Sequence, residues 1–285
     1  MTAPAPAPLP PLCYEGILQT ALAEDMGRSG DISGALLPAG KQATLHVVTR
    51  EAGCIAGLEM SLRAFTLYDP AVQVKALVAD GDVVAAGTVL ATVSGAARSL
   101  LAAERTCLNL LGHLCGIATQ THALAHLIAD LPAKLVDTRK TLPGLRTLQK
   151  YAVRAGGGHN HRFALDDAVM LKDNHVALLG DIPAAVAHAR AAVGPMVKIE
   201  VEVDTLEQLD EVLKTDADVV MLDNMPPEML KAAVGRVGGR MLTEASGGIT
   251  AATIRAVAES GVDVISVGAL THSVKQLDIG LDYRQ

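Results

Sequence analysis

The run Met196-Val197-Lys198-Ile199-Glu200-Val201-Glu202-Val203 leads, through a helical stretch at residues 206–213, to Asp218-Val219-Val220-Met221-Leu222-Asp223. Both runs are short, apolar and rich in β-branched residues, so each reads as a buried strand. A strand, a helix and a second strand in that order join as parallel neighbours through a right-handed crossover. The alternation continues outward. Apolar runs at 134–137, 168–172, 240–245 and 263–267 join the two above, with helical candidates at 144–154, 182–192, 227–234 and 250–259. That is fewer strands than a closed (β/α) barrel requires. The expected fold is α/β, built on an open, incomplete parallel α/β barrel of about six strands, with a doubly wound open sheet as second choice.

Upstream the pattern differs. Residues 14–25 have helical periodicity, and residues 24–33 read as a turn-rich loop. Strands follow at 42–50 and 72–78, around a helix at 57–67. Residues 80–84 and 87–95 are short strands joined through glycine turns, similar to the hairpins of biotinyl and lipoyl carrier domains. A carrier needs a modifiable Lys at the hairpin tip, and Ala85 and Ala86 stand there instead, so the region reads as a structural sandwich piece. Residues 97–130 are mostly helical, with interruptions expected near Gly112 and Gly116. The domain reading is a disordered Pro/Ala tail at 1–11, an α+β N-terminal sandwich domain at 12–110 and the catalytic barrel at 111–270. A C-terminal segment at 271–285 returns to the N-terminal domain.

Half of the 285 residues are hydrophobic, but only 2% are aromatic and none is Trp, so Ala, Val, Leu and Ile must build the core. A net charge of −7 argues against nucleic acid as a partner, because a phosphate backbone selects a basic face. No apolar run is long enough to span a membrane, and the first residues lack the basic and apolar regions of a signal peptide. Cys13, Cys54, Cys107 and Cys115 are scattered without a CxxC pair, which suits reduced thiols in the cytoplasm. His122 and His126 have zinc-ligand spacing on a helix, but no Glu follows His122, so they read as surface or interface histidines.

Against the acidic background, residues 137–175 concentrate Arg139, Lys140, Arg146, Lys150, Arg154, Arg162 and Lys172 around Gly156-Gly157-Gly158. Cations at that density repel one another unless an anion sits among them. Arg offers a planar fork for carboxylate or phosphate, and Lys a point charge. The reading is a pocket for a multiply anionic small molecule.

The polar residues that close each strand lie where a parallel α/β fold places its site. Glu200 and Glu202 are two apart on one strand and face the same way, a costly arrangement unless cations or a metal pair with them. Lys172 and Lys198 are the candidate partners. Ser246-Gly247-Gly248 precedes a helix expected from Thr250, and Val267-Gly268-Ala269 closes the final strand. Backbone N–H groups at such helix starts bind phosphate. The inventory fits a phosphorylated sugar joined to a second, acidic substrate.

At Glu104-Arg105-Thr106-Cys107-Leu108-Asn109, Thr138-Arg139-Lys140-Thr141-Leu142-Pro143-Gly144-Leu145-Arg146 and Gly156-Gly157-Gly158-His159-Asn160-His161-Arg162 the chain resembles the quinolinate phosphoribosyltransferases. The likeness continues through Leu171-Lys172-Asp173-Asn174-His175, Leu222-Asp223-Asn224, Ser246-Gly247-Gly248-Ile249 and Val267-Gly268-Ala269-Leu270-Thr271, with Cys115 where a Ser is expected. The resemblance implies phosphoribosyl transfer from phosphoribosyl pyrophosphate to quinolinate with loss of CO₂, giving nicotinate mononucleotide for NAD synthesis. It implies Mg²⁺, held directly or indirectly by Glu202 and Asp223, and a homodimer whose Arg105 enters the neighbour's site. It assigns Arg105, Thr138, Arg139, His161, Arg162 and Lys172 to quinolinate. Lys140, Glu202 and Asp223 would be catalytic and face phosphoribosyl pyrophosphate, with Ser246, Gly247, Gly248, Val267, Gly268 and Ala269 around its phosphate. A nicotinate phosphoribosyltransferase is the nearest alternative, and a Schiff-base aldolase using Lys172 or Lys198 a more distant one.

Overall fold

The computed structural model describes residues 6–283. Residues 1–5, part of the expected tail, lie outside that range. The first strands and helices are α1 (Glu15–Met26), β1 (Gln42–Thr49), β2 (Gly53–Cys54), α2 (Leu58–Tyr68), β3 (Gln73–Ala76), β4 (Val83–Val84), β5 (Val89–Ala96) and α3 (Ala97–Leu127). Then come β6 (Lys134–Val136), α4 (Arg146–Ala155), β7 (Val169–Leu171), α5 (Asp173–Leu179), α6 (Ile182–Ala192), β8 (Ile199–Val203) and α7 (Leu206–Val212). The chain continues through β9 (Val219–Asp223), α8 (Pro227–Val237), β10 (Leu242–Ser246), α9 (Ile254–Glu259), β11 (Val264–Ser266), α10 (Ala269–His272) and β12 (Ile279–Asp282). Two compact units result. One takes the chain up to His122, then Leu142–Gly157, and again from Ser273; the other takes Ala123–Thr141 and Gly158–His272.

In the first unit β12, β1, β5 and β3 form an antiparallel sheet in that order. Leu18, Leu62, Phe65, Leu90, Val93, Leu100 and Leu111 fill its core. Each such side chain contributes about 1.5–3 kcal/mol by leaving water. Asp80 accepts the Gly57 and Leu58 N–H groups at 2.8 and 3.0 Å, which caps α2, and takes the Tyr151 hydroxyl at 2.7 Å. The runs at 80–84 and 87–95 do not form a hairpin together. β5 has β1 on one edge and β3 on the other, so β4 pairs with β2 in a separate small sheet.

α3 runs unbroken for 31 residues, straight through Gly112 and Gly116. These glycines were expected to interrupt the helix, and their use is different. A Cβ at Gly116 would lie 2.2 Å from the Lys275 carbonyl oxygen, and one at Gly112 2.9 Å from that of Leu277. The bare backbone lets residues 275–277 lie against the helix, where Leu277 N–H bonds Gly112 O at 3.0 Å.

The second unit is a six-stranded parallel sheet in the order β6-β11-β10-β9-β8-β7. Its last strand, β11, pairs with its first, β6, which is the closing contact of a barrel. No ladder joins β6 to β7, so the cylinder is open at that seam. A doubly wound sheet would lack the first-to-last pairing, and the open six-strand reading of the sequence holds. Helix starts are locally encoded. Thr205 and Gln208 exchange side-chain-to-backbone bonds at 3.2 Å each at the head of α7. Asp181 accepts the Ala184 N–H at 2.8 Å at the head of α6. α5 was not anticipated from the sequence; it starts directly at the end of β7, where the Lys172 N–H donates to His175 Nδ1 at 3.1 Å.

Candidate active site

Because the six strands are parallel, their C-terminal ends lie along one rim. Thr138, Arg139 and Lys140 follow β6, Lys172 follows β7, and Glu202 is the penultimate residue of β8. Asp223 closes β9, Ser246 closes β10, and Val267, Gly268 and Ala269 come after β11. The dense basic stretch of the sequence is divided: Arg146, Lys150 and Arg154 lie on α4 in the first unit, and Arg139, Lys140, Arg162 and Lys172 in the second.

Buried Asp137 organises the segment carrying His161 and Arg162. Its carboxylate accepts the His161 N–H at 2.9 Å and the Asn160 side-chain amide at 2.6 Å, while its own N–H donates to His159 O at 3.2 Å. His159 in turn donates its N–H to Leu135 O at 2.8 Å and bridges Val136 in parallel. The segment is thereby stitched along the free edge of β6.

His161 Nε2 lies 3.1 Å from Glu244 Oε2 and 3.4 Å from Glu200 Oε2. Nδ1 of the same ring accepts the Arg162 N–H at 2.8 Å. Burial disfavours an imidazolium here, but the hydrogen bonds and charges of Glu200 and Glu244 outweigh it and draw His161 up to about 10. A proton on Nδ1 would forfeit the Arg162 bond. Burial and the neighbouring Glu244 carboxylate together push Glu200 above the ordinary carboxylate range, against the lowering effect of His161. Ring and carboxylates therefore titrate as one unit, and the Arg162 N–H on Nδ1 leaves only the Nε2 side of the ring, facing the carboxylates, open to a proton. This three-membered cluster was not anticipated. Its signal was the alternation of β8 and β10, which turns Glu200 and Glu244 inward.

Lys172 and Lys198 were the candidate cation partners for Glu200 and Glu202, and neither pairs with Glu200. Instead Lys172 Nζ binds Glu202, and Lys198 binds Asp218 at 2.7 Å. The difference follows from position along the strands: Lys172 lies just past the end of β7, level with the later of the two carboxylates, and Lys198 precedes β8. Arg162 is less fortunate. Its guanidinium reaches the Ala168 carbonyl at 3.0 Å and Met170 Sδ at 3.4 Å, with no carboxylate in ion-pair range among the described residues. Burial and the charge of Arg139 hold its pKa below the usual arginine range. A half-buried cation next to a like charge gains electrostatically from a nearby anion.

At the far strands, Asn224 holds a left-handed φ of 53° and donates its N–H to Ser246 O at 3.0 Å. Gly247 has φ 95°, and a Cβ there would fall 2.2 Å from Asn224 Oδ1, so only glycine fits. The helix expected from Thr250 begins at Ile254. The Thr250 N–H donates to Thr253 Oγ1 at 2.9 Å, so a turn precedes α9. Lys140 is tied to the last loop, its carbonyl accepting the Thr271 hydroxyl at 2.7 Å and its stem lying against Gly268.

The family model of the quinolinate phosphoribosyl transferase C-terminal domain matches residues 117–282, and that of the N-terminal domain residues 31–115. The chain belongs to the quinolinate phosphoribosyl transferase family. It is 46% identical to the probable nicotinate-nucleotide pyrophosphorylase (carboxylating) of Bacillus subtilis, covering 91% of this chain and 89% of that protein. It is 47% identical to the nicotinate-nucleotide pyrophosphorylase (carboxylating) of Mycobacterium leprae, over 93% of this chain and 95% of the relative. The crystal structure of NadC from Streptococcus pyogenes superposes with a TM-score of 0.93 at 42% identity, over 98% of this chain and 100% of the other.

Within this quinolinate phosphoribosyl transferase fold Arg105 belongs to the other unit. It lies on α3 in the first unit, its side chain 61% exposed and 3.8 Å from Glu104. It lines a cavity of about 300 Å³ in that unit with Asn109 and His113. Among the described residues no helix is long and apolar enough to cross a membrane.

Proposed function

We propose that this protein transfers the phosphoribosyl group of phosphoribosyl pyrophosphate to quinolinate and releases pyrophosphate and CO₂, leaving nicotinate mononucleotide. Arg162 beside Arg139, half-buried without a carboxylate of its own, carries this reading, because it leaves a place for an anionic acid. Arg139, Arg162 and Lys172, with Thr138, would hold that acid, and His161 would act beside them through the Arg162 backbone N–H that its Nδ1 accepts. Lys140, Glu202 and Asp223 would meet the sugar diphosphate, and the backbone of Ser246–Gly248 and Val267–Ala269 its phosphate.

The donor set suits Mg²⁺. Glu202 and Asp223 offer only oxygen, which a hard cation selects, whereas the other carboxylate cluster includes a ring nitrogen. Bound there, Mg²⁺ supplies positive charge to the diphosphate. Loss of pyrophosphate leaves positive charge at the anomeric carbon, and the Glu202 and Asp223 carboxylates stabilise it. The Lys140 ammonium offsets the charge gathering on the leaving group. No covalent nucleophile is needed, so orientation supplies much of the rate. Attack by the pyridine nitrogen makes the ring cationic. When the C–C bond to the adjacent carboxylate breaks, its electron pair stays on the ring carbon, stabilised by the cationic nitrogen beside it, CO₂ departs and that carbon takes a proton. The clamp must therefore hold one carboxylate and release the other.

In the same reading the enzyme is a cytoplasmic homodimer, with the exposed Arg105 completing the neighbour's site; four free thiols suit a reducing compartment. The test is an assay with quinolinate, phosphoribosyl pyrophosphate and Mg²⁺ on the native protein and on Arg162→Ala. Nicotinate mononucleotide formed by the first and lost by at least about 100-fold in the second is expected. Equal rates from both proteins would contradict the assignment.

A further inference from the structure

Glu200 and Glu244 lie on β8 and β10, with β9 between them, yet both meet one nitrogen of His161. Both are nearly inaccessible, at 4% and 2% exposure. Each reaches the ring through Oε2, and the Oε1 of each is buried with no hydrogen-bond partner among the described residues. Two carboxylates so placed carry a large desolvation cost for the sake of one ring hydrogen. On the other side of the ring, Nδ1 accepts the N–H of Arg162, the residue whose guanidinium lacks a carboxylate.

We infer that Glu200 and Glu244 are positioning residues: they fix His161 as the Nε2–H tautomer, and through Nδ1 the ring fixes the backbone that presents Arg162. The chain of contact is short and directional. A hydrogen bond at one ring nitrogen decides which form the other takes. With Nε2–H held by Glu244 at 3.1 Å, Nδ1 keeps a lone pair for Arg162, and Asp137 fixes the same segment through the His161 N–H. Remove the carboxylates and the ring is free to turn over or to protonate at Nδ1, which expels the Arg162 N–H. The guanidinium then loses its fixed place relative to the bound acid. This inference rests on the proposed reading only in naming quinolinate as that acid.

The test has an arm that does not depend on activity. ¹⁵N-histidine labelling of the full-length protein, with His161→Gln used to assign the signal, reads the two ring nitrogens directly. A bare Nδ1 and a protonated Nε2 are expected in the native protein, and loss of that pattern in Glu244→Ala. A protonated Nδ1 in the native protein would overturn the inference whatever the substrate. The second arm is kinetic. Glu244→Gln retains an acceptor for Nε2–H, so it is expected to restore most of the quinolinate KM that Glu244→Ala raises by about tenfold or more. The KM for phosphoribosyl pyrophosphate is expected to stay within about twofold in both, which also shows that the variants fold. Equal rises in both KM values, or no recovery by Gln, would contradict a positioning role. If no turnover of quinolinate is found at all, the proposed function fails and the tautomer measurement still decides this inference.

Discussion

Lys172 and Glu202 form an ion pair across the C-terminal ends of the neighbouring strands β7 and β8. One of them is assigned to the acid and the other to the sugar, so the pair is where the two halves of the proposed site meet. Bound substrates would compete for both partners, the acid's carboxylate for Lys172 and the sugar or metal for Glu202. In that reading the pair is a resting arrangement for groups that the substrates would claim.

From this follows a coupling between the two residues. Lys172→Ala and Glu202→Ala are each expected to lower kcat/KM by about 100-fold or more, and the double variant by much less than the product. Steady-state kinetics on the four proteins measure it. Additive losses would show that the pair acts as two independent contacts.

Gly247→Ala is expected to impair the sugar-phosphate half selectively. The added Cβ would meet Asn224 Oδ1 at 2.2 Å at a φ of 95°, so the loop after β10 must move. Calorimetric titration should show phosphoribosyl pyrophosphate binding weakened by at least about tenfold, with quinolinate binding retained. Unchanged binding of both would remove the loop from the site.

Gly116→Ala tests the unbroken helix. Alanine favours a helix by about 1 kcal/mol, yet here its Cβ would stand 2.2 Å from a backbone oxygen, that of Lys275. Net destabilisation of about 1–3 kcal/mol is expected from urea unfolding, as for other overpacked interiors. A stabilised protein would mean that residues 275–277 yield easily.

Gly116, with Gly112 one turn before it, also shows where the sequence misleads. The strand–helix alternation after residue 134 was legible because fully buried parallel strands leave an apolar run that few other structures produce. Gly112 and Gly116 read as breaks because the segment they admit lies some 160 residues later, and periodicity carries no such information. The rim was legible for the same reason as the strands: its residues are the polar ends of apolar runs. The Glu200–His161–Glu244 cluster was not, since each member belongs to a different run and only the sheet order brings them together. The dense basic stretch overstated its own unity, because α4 folds into the other unit.

Asp218 gives a pH signature remote from the rim. Although burial raises its pKa, hydrogen bonds from Arg190, Lys198 and the Ile199 N–H pull it down to about 2. A carboxylate depressed in the fold adds stability that is fully present above its unfolded pKa of about 3.9 and is lost as pH falls through 2. The stability difference between native protein and Asp218→Asn should therefore shrink as the pH falls from about 5 toward 2, read by urea unfolding at each pH. A difference that grows in acid would contradict the network.

The central claim is a dicarboxylate acceptor whose carboxyl group next to the ring nitrogen is lost as CO₂ once the glycosidic bond has formed. Quinolinate carrying ¹³C in that carboxyl group, incubated with the protein, phosphoribosyl pyrophosphate and Mg²⁺, tests it directly, with nicotinate run in parallel as the competing acid. The account predicts one labelled CO₂ for each nicotinate mononucleotide, and no nucleotide from nicotinate. Nucleotide from nicotinate without CO₂, or nucleotide from quinolinate that keeps the label, would contradict it.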